Sequence, residues 1–153
     1  MKKSTLLTSL AALLLSACAC FEPSAPPPTH PVVSVISGTT PVVVPDPLYF
    51  SGKYKGHDTK IVWRLAAGES YRFARSGIVV MNGDGEILCG DERGEQQKAT
   101  DGGTGAGLGR SPDGLEFTCL NRYTKEGAYK YTIRIDGPGG ALPPLDPAIV
   151  NGR

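Results

Sequence analysis

The chain has 153 residues, 40% of them hydrophobic and 20% charged, with 16 lysines and arginines against 15 acids. That length suits one small domain with flanking segments. A formal charge of +1 gives nucleic-acid binding no electrostatic support and is too mild to argue for any other charged partner.

The first element is a signal-like segment. Lys2 and Lys3 precede an apolar run from Leu6 to Leu15, and the small residues Ser16 and Ala17 follow. A basic start, a short apolar stretch and small residues before a cut make a secretory signal peptide over residues 1–17. A membrane-spanning helix takes roughly 20 apolar residues, so this run is too short to persist as a span. The segment Leu15-Ser16-Ala17-Cys18 resembles the lipobox of bacterial lipoproteins. That resemblance implies cleavage before Cys18, a diacylglyceryl group on its sulfur, and further acylation (commonly palmitate) of the new amino terminus. Ala19, standing where an aspartate would retain such a protein elsewhere, implies the outer membrane with the chain facing the periplasm. Each buried methylene contributes about 0.8 kcal/mol, and one acyl chain alone holds marginally, so several chains on one cysteine make a firm anchor. Read against Cys20, the box would start from Ala17, which makes Cys18 the better anchor. Cys20 is left as a free thiol or an intermolecular partner. The signal carries two lysines and no acid, so its removal turns the balance of +1 into −1.

Residues 19–47 hold eight prolines. Proline-rich chain is extended and semi-rigid, so residues 18–47 are expected to form the lipidated cysteine and a tether. Two apolar pieces, Val32–Ile36 and Val42–Val44, are also candidates for edge strands, where proline is tolerated.

From Leu48 to Arg153 the apolar residues alternate with a period of two, the mark of half-buried strands. Ile61-Val62-Trp63-Arg64-Leu65 and Tyr71-Arg72-Phe73 alternate this way. Gly77 to Met81 is apolar on both faces, as a central strand would be. Asn82-Gly83-Asp84-Gly85 supplies a hairpin turn, Glu86 to Cys89 returns, and Leu115 to Leu120 forms another strand. In Tyr129 to Ile135, the residues Tyr129, Tyr131, Ile133 and Ile135 share one face. Gly90 to Gly114 is polar and glycine-rich and is expected to be a mobile loop. The tail from Gly137 is expected to be irregular, with Leu145, Ile149 and Val150 able to tuck back. Together these elements predict an all-β domain over residues 48–153, an antiparallel, immunoglobulin-like β-sandwich.

Cys89 and Cys119 lie 30 positions apart in strand-like patterns, and an exported compartment permits disulfides. Closing a loop of that length stabilises by about 3.5 kcal/mol on the chain-entropy estimate. A Cys89–Cys119 bridge is therefore expected, with two buried thiols as the alternative.

The motifs that carry chemistry are sparse. Gly103 to Gly109 lacks phosphate-loop spacing and context. Asn82-x-Asp84-x-Glu86 places oxygens at alternate positions, but Ile87 and Arg93 stand where a calcium loop needs glycine and glutamate. The two histidines are His30, in the tether, and His57, in a loop-like stretch. No zinc, nucleophile-elbow or paired-cysteine motif is present. The cluster Lys53, Tyr54, Lys55, His57 and Lys60 interleaves basic groups with an aromatic, as a site for an anionic glycan or lipid headgroup would. Tyr129 to Gly137, with Leu145-Asp146-Pro147 beyond, is similar to the closing strand of glycogen-binding β-sandwich modules, which stack sugars on tryptophan. Trp63 is the single tryptophan. Trp63, Gly77-Ile78-Val79 and Asp146 to Asn151 together also resemble small bacterial envelope proteins.

The expected function is a lipid-anchored, non-catalytic binding or accessory module in the periplasm, without cofactor or metal. Its partners would be the membrane, through Cys18, and an envelope protein or glycan. One alternative is a glycan- or ligand-binding protein using Trp63 or the Lys53–Lys60 cluster. Another is a hydrolase with a dispersed site gathering His57, a serine and a carboxylate.

Overall fold

The structure is a computed structural model that describes residues 27–66, 70–83, 85–90 and 107–153. Its strands are β1 (Val32–Ile36), β2 (Thr40–Val44), β3 (Leu48–Phe50), β4 (Thr59–Leu65), β5 (Arg72–Val80) and β6 (Ile87–Cys89), followed by β7 (Gly109–Arg110), β8 (Glu116–Asn121), β9 (Gly127–Gly137), β10 (Gly140–Ala141) and β11 (Ala148–Asn151). They form two sheets. One has the order β2-β1-β4-β8-β6, with β7 also on β8; the other has β10-β9-β11-β3, with β5 also on β9. The result is the all-β sandwich expected from the alternation. Both sheets are mixed: β1 runs parallel to β4 and β3 parallel to β11, while the other pairs are antiparallel.

The alternating strands explain how the sheets meet. A period of two sends every second side chain to the same face, and on β9 this buries Tyr129, Tyr131, Ile133 and Ile135. On β4 it buries Ile61, Trp63 and Leu65 from the facing sheet. Trp63 meets Tyr131 with ring centroids 5.3 Å apart and tilted by 58°, and its indole N–H donates to the tyrosine oxygen at 3.3 Å. Phe73 of β5 meets Phe117 of β8 edge-on at 6.0 Å. Each such pair adds about 0.5–1.5 kcal/mol beyond area burial. Burial raises the Tyr131 pKa, outweighing the Trp63 hydrogen bond that acts to lower it.

Four expectations are corrected here. The tether drawn through residue 47 ends sooner, because Val33 and Val43 of the β1–β2 hairpin lie in the core. Pro41 is accommodated because β2 is an edge strand, where a missing N–H breaks no ladder on the open side. The tail tucks back, as its apolar residues allowed, but as a regular strand: β11 sits between β9 and β3 with Ile149 fully buried, and Leu145 bridges Ile133. The Gly77–Met81 run belongs to an edge strand, since β5 pairs with β9 alone. Its register shifts between Phe73 and Ile78, and Met81 is exposed. Within that shift a Cβ on Gly77 would lie 2.9 Å from the Phe73 Cβ and 3.1 Å from the Phe117 ring.

The glycine-rich segment is the fourth case, because its last part is ordered. Leu108 is buried, β7 pairs with β8, and the Arg110 Nε donates to the Phe73 carbonyl at 2.6 Å. Strands β6 and β7 lie on the same side of β8, opposite residues 119–121 and 117–118. They make one edge strand in two pieces, with residues 91–106 between them. At the break, a Cβ on Gly90 would lie 2.8 Å from the Gly109 Cα, so this close approach needs glycine.

Candidate functional site

Signal residues 1–17 and the anchor candidate Cys18, with Cys20, lie outside the described residues. Cys89 and Cys119 form a disulfide across directly opposed positions of β6 and β8, with a Cα–Cα distance of 4.3 Å. Trp63 is 0% exposed, which removes it as a stacking platform for a sugar. The alternation that buries Trp63 was visible in the sequence.

The remaining candidates gather at one end of the sandwich. β3 runs towards this end, β4 leaves it, β8 arrives and β9 departs, so the loops 51–58 and 122–126 lie side by side there. Residues 81–83 and 85–86, with Gly152-Arg153, join them. Gly52–Tyr54 forms a single 3-10 turn, after which the Gly56 N–H donates to the Tyr123 carbonyl at 2.9 Å. This contact ties the predicted basic loop to the β8–β9 loop.

A polar framework beneath holds those loops. Asn121 of β8 and Asn151 of β11 exchange side-chain hydrogen bonds of 2.8 and 3.1 Å, and the Asn121 oxygen also accepts the Tyr123 N–H at 3.1 Å. The Tyr123 hydroxyl donates to the Gly152 carbonyl. Glu86 is buried, and its carboxylate accepts the N–H groups of Thr124 at 2.7 Å and Lys125 at 3.1 Å, with the Thr124 hydroxyl as a third donor. Burial alone raises the Glu86 pKa, but these donors together hold it below the usual glutamate value. The Glu86 carboxylate that suggested a cation loop is thus engaged with backbone and hydroxyl donors. Among the described residues no group of three or more histidine, cysteine or acidic side chains is placed to hold a metal.

Upon this framework sits an exposed layer of cations. Lys53, Lys55, Lys60, Arg122, Lys125 and Arg153 are exposed, against the exposed acids Asp58 and Glu126; Asp84 lies outside the described residues. Lys55 and Arg153 both pair with Glu126, at 3.1 and 3.3 Å, and the Lys55 hydrogen bond and charge hold the Glu126 pKa below its ordinary value. The Lys53 ammonium lies 4.8 Å from the centre of the Tyr54 ring, and His57 is exposed. Exposed ion pairs of this kind add little to stability. What they leave at the surface is an excess of exposed cations over exposed acids among the described residues.

Elsewhere one concavity among the described residues is apolar. A shallow groove of about 190 Å³ between β5 and β6 is lined by Ser76, Ile78, Val80, Ile87 and Cys89 among others, without a charged side chain. Sequence reasoning found Lys53, Lys55 and Lys60 but not Arg122, Lys125 or Arg153, and it singled out Glu86 as a turn acid without its Asn121 and Asn151 framework. Those residues are scattered over the 68 positions from Glu86 to Arg153 and meet only through the sheet topology. The chain matches no protein-family model and no curated protein.

Proposed function

We propose that the protein is a lipid-anchored envelope lipoprotein whose sandwich serves as a non-catalytic binding or accessory module in the periplasm. The lipobox-like segment ending at Cys18 supplies the anchor. The observation that carries the reading is where the fold takes hold of the chain. The Thr29 carbonyl accepts the Val62 N–H at 2.8 Å, and the Pro31 carbonyl accepts the Arg64 N–H at 3.0 Å. The chain from Cys18 to Thr29 spans at most about 40 Å however it runs, so the sandwich stays near the membrane surface. The end away from the tether carries the loops at Ser37–Thr39, Ser111–Gly114 and Pro138–Gly139, and these face outward for recognition.

In-cell crosslinking of the tagged full-length protein, followed by mass spectrometry, tests this. A reproducible envelope partner, crosslinked through the outward loops and lost in Cys18→Ser, is the expected result. Capture of nothing beyond lipid and abundant porins would count against an accessory role.

A further inference from the structure

We propose that the basic end of the sandwich docks on the anionic phospholipid headgroups of the membrane that holds the Cys18 anchor, which fixes how the domain stands. The proposal rests on the anchored-lipoprotein reading and adds an orientation to it. Two independent observations carry it, charge and the path of the tether.

The first is local charge. The chain without residues 1–17 has a balance of −1, yet six exposed cations face two exposed acids among the described residues of this end. Four of the cations come from two loops, 51–58 and 122–126, that are hydrogen-bonded together through Gly56 and Tyr123 and held from beneath by Glu86 on Thr124 and Lys125; Lys60 at the start of β4 and Arg153 flank them. They therefore form a platform with fixed spacing. A broad layer of positive charge suits a broad layer of negative charge.

The second is where the tether meets the fold. Thr29 lies beside Val62, three residues from the start of β4 at Thr59. β1 is parallel to β4, so the chain enters the sheet from the side on which β4 begins, the end that carries Lys60 and the 51–58 loop. With Cys18 only eleven positions before Thr29, the basic end is the end of the sandwich that a short anchor would hold towards the membrane. Tethering also raises the effective concentration of the platform at that surface. Each lysine or arginine close to an anionic membrane strengthens association by roughly fivefold, so several modest contacts are enough to hold an orientation.

The test uses the full-length protein, processed in cells and reconstituted into vesicles of phosphatidylcholine alone or with phosphatidylglycerol. Hydrogen exchange is followed at the amides of residues 52–58 and 122–126, and intact mass reports acylation in the same sample. The expected result is at least roughly tenfold slower exchange on the anionic vesicles, abolished by high salt. The Lys53→Gln/Arg122→Gln/Lys125→Gln variant should lose the protection while keeping the acyl mass and an unchanged melting temperature. An acylated protein that exchanges alike on both vesicles overturns the docking and leaves the anchor standing. A chain without acyl groups overturns the anchor and the orientation with it.

Discussion

Asn121 and Asn151 face each other from different sheets and exchange two hydrogen bonds, both side chains being essentially inaccessible to solvent. Asn121 belongs to β8, between β4 and β6, and Asn151 to β11, between β9 and β3. A buried amide is costly unless it is paired, and here each pairs with the other. The two residues therefore register one sheet on the other at the end that carries the basic loops. Asn151→Ala leaves the Asn121 amide with an unmet donor in the interior. It should destabilise the fold by about 2–3 kcal/mol, read as a lower urea midpoint with an unchanged slope.

Glu86 gives a pH dependence. Its folded pKa lies below the ordinary value of 4.5, so its contribution is fully present above that value and is lost as pH falls through the folded pKa. Asp113, held down by the Ser111 hydroxyl and the Leu115 N–H, and Glu126 shift in the same direction and act over the same acid window. Glu86→Gln should cost about 2 kcal/mol near neutrality, as a charged acceptor of three bonds is replaced by a neutral one. Urea unfolding of both proteins between neutral and acid pH should show the difference shrinking as pH falls. A constant difference would mean that the Glu86 charge is not what holds the 122–126 loop.

The disulfide closes the β6–β8 pair. Cys89→Ala/Cys119→Ala should lower stability by about 3.5 kcal/mol on the chain-entropy estimate. Non-reducing peptide mapping of the parent protein should recover the Cys89 and Cys119 peptides joined.

Trp63 reports on the interface between the sheets. Trp63→Phe removes the N–H that bonds the Tyr131 oxygen and should cost about 2 kcal/mol. In the parent protein the fluorescence of this single tryptophan should be blue-shifted in the folded state and unchanged by added oligosaccharides. A sugar-dependent change would restore Trp63 as a candidate contact.

The parts of the fold that were legible in sequence are those where one face is buried and the strand is long. On β9 the alternation of Tyr129, Tyr131, Ile133 and Ile135 with Lys130, Thr132 and Arg134 admits one orientation. β11 is four residues long and follows a proline-rich stretch, too short for a period to show. β1 and β2 were legible as candidate edge strands, since prolines before a strand or on a sheet edge are tolerated, but not that β1 lies inside the sheet between β2 and β4. β5 looked central because both its faces are apolar; Ile78 and Val80 in fact line the groove beside β6. The basic end was only half visible. Lys53 to Lys60 is contiguous, whereas Arg122, Lys125 and Arg153 join it through β8, β9 and β11. Glu86 looked like a turn acid because its partners lie 38 and 39 positions away.

The most direct test of the central claim is the intact mass of the protein purified from bacterial membranes, with sequencing of its first peptide. The account predicts a chain that begins at Cys18 and carries diacylglyceryl and amide-linked acyl groups, with Cys18→Ser remaining unprocessed and unacylated. A chain that begins at Cys18 or Cys20 without lipid would contradict the anchor. The sandwich would then be an exported domain free of the membrane.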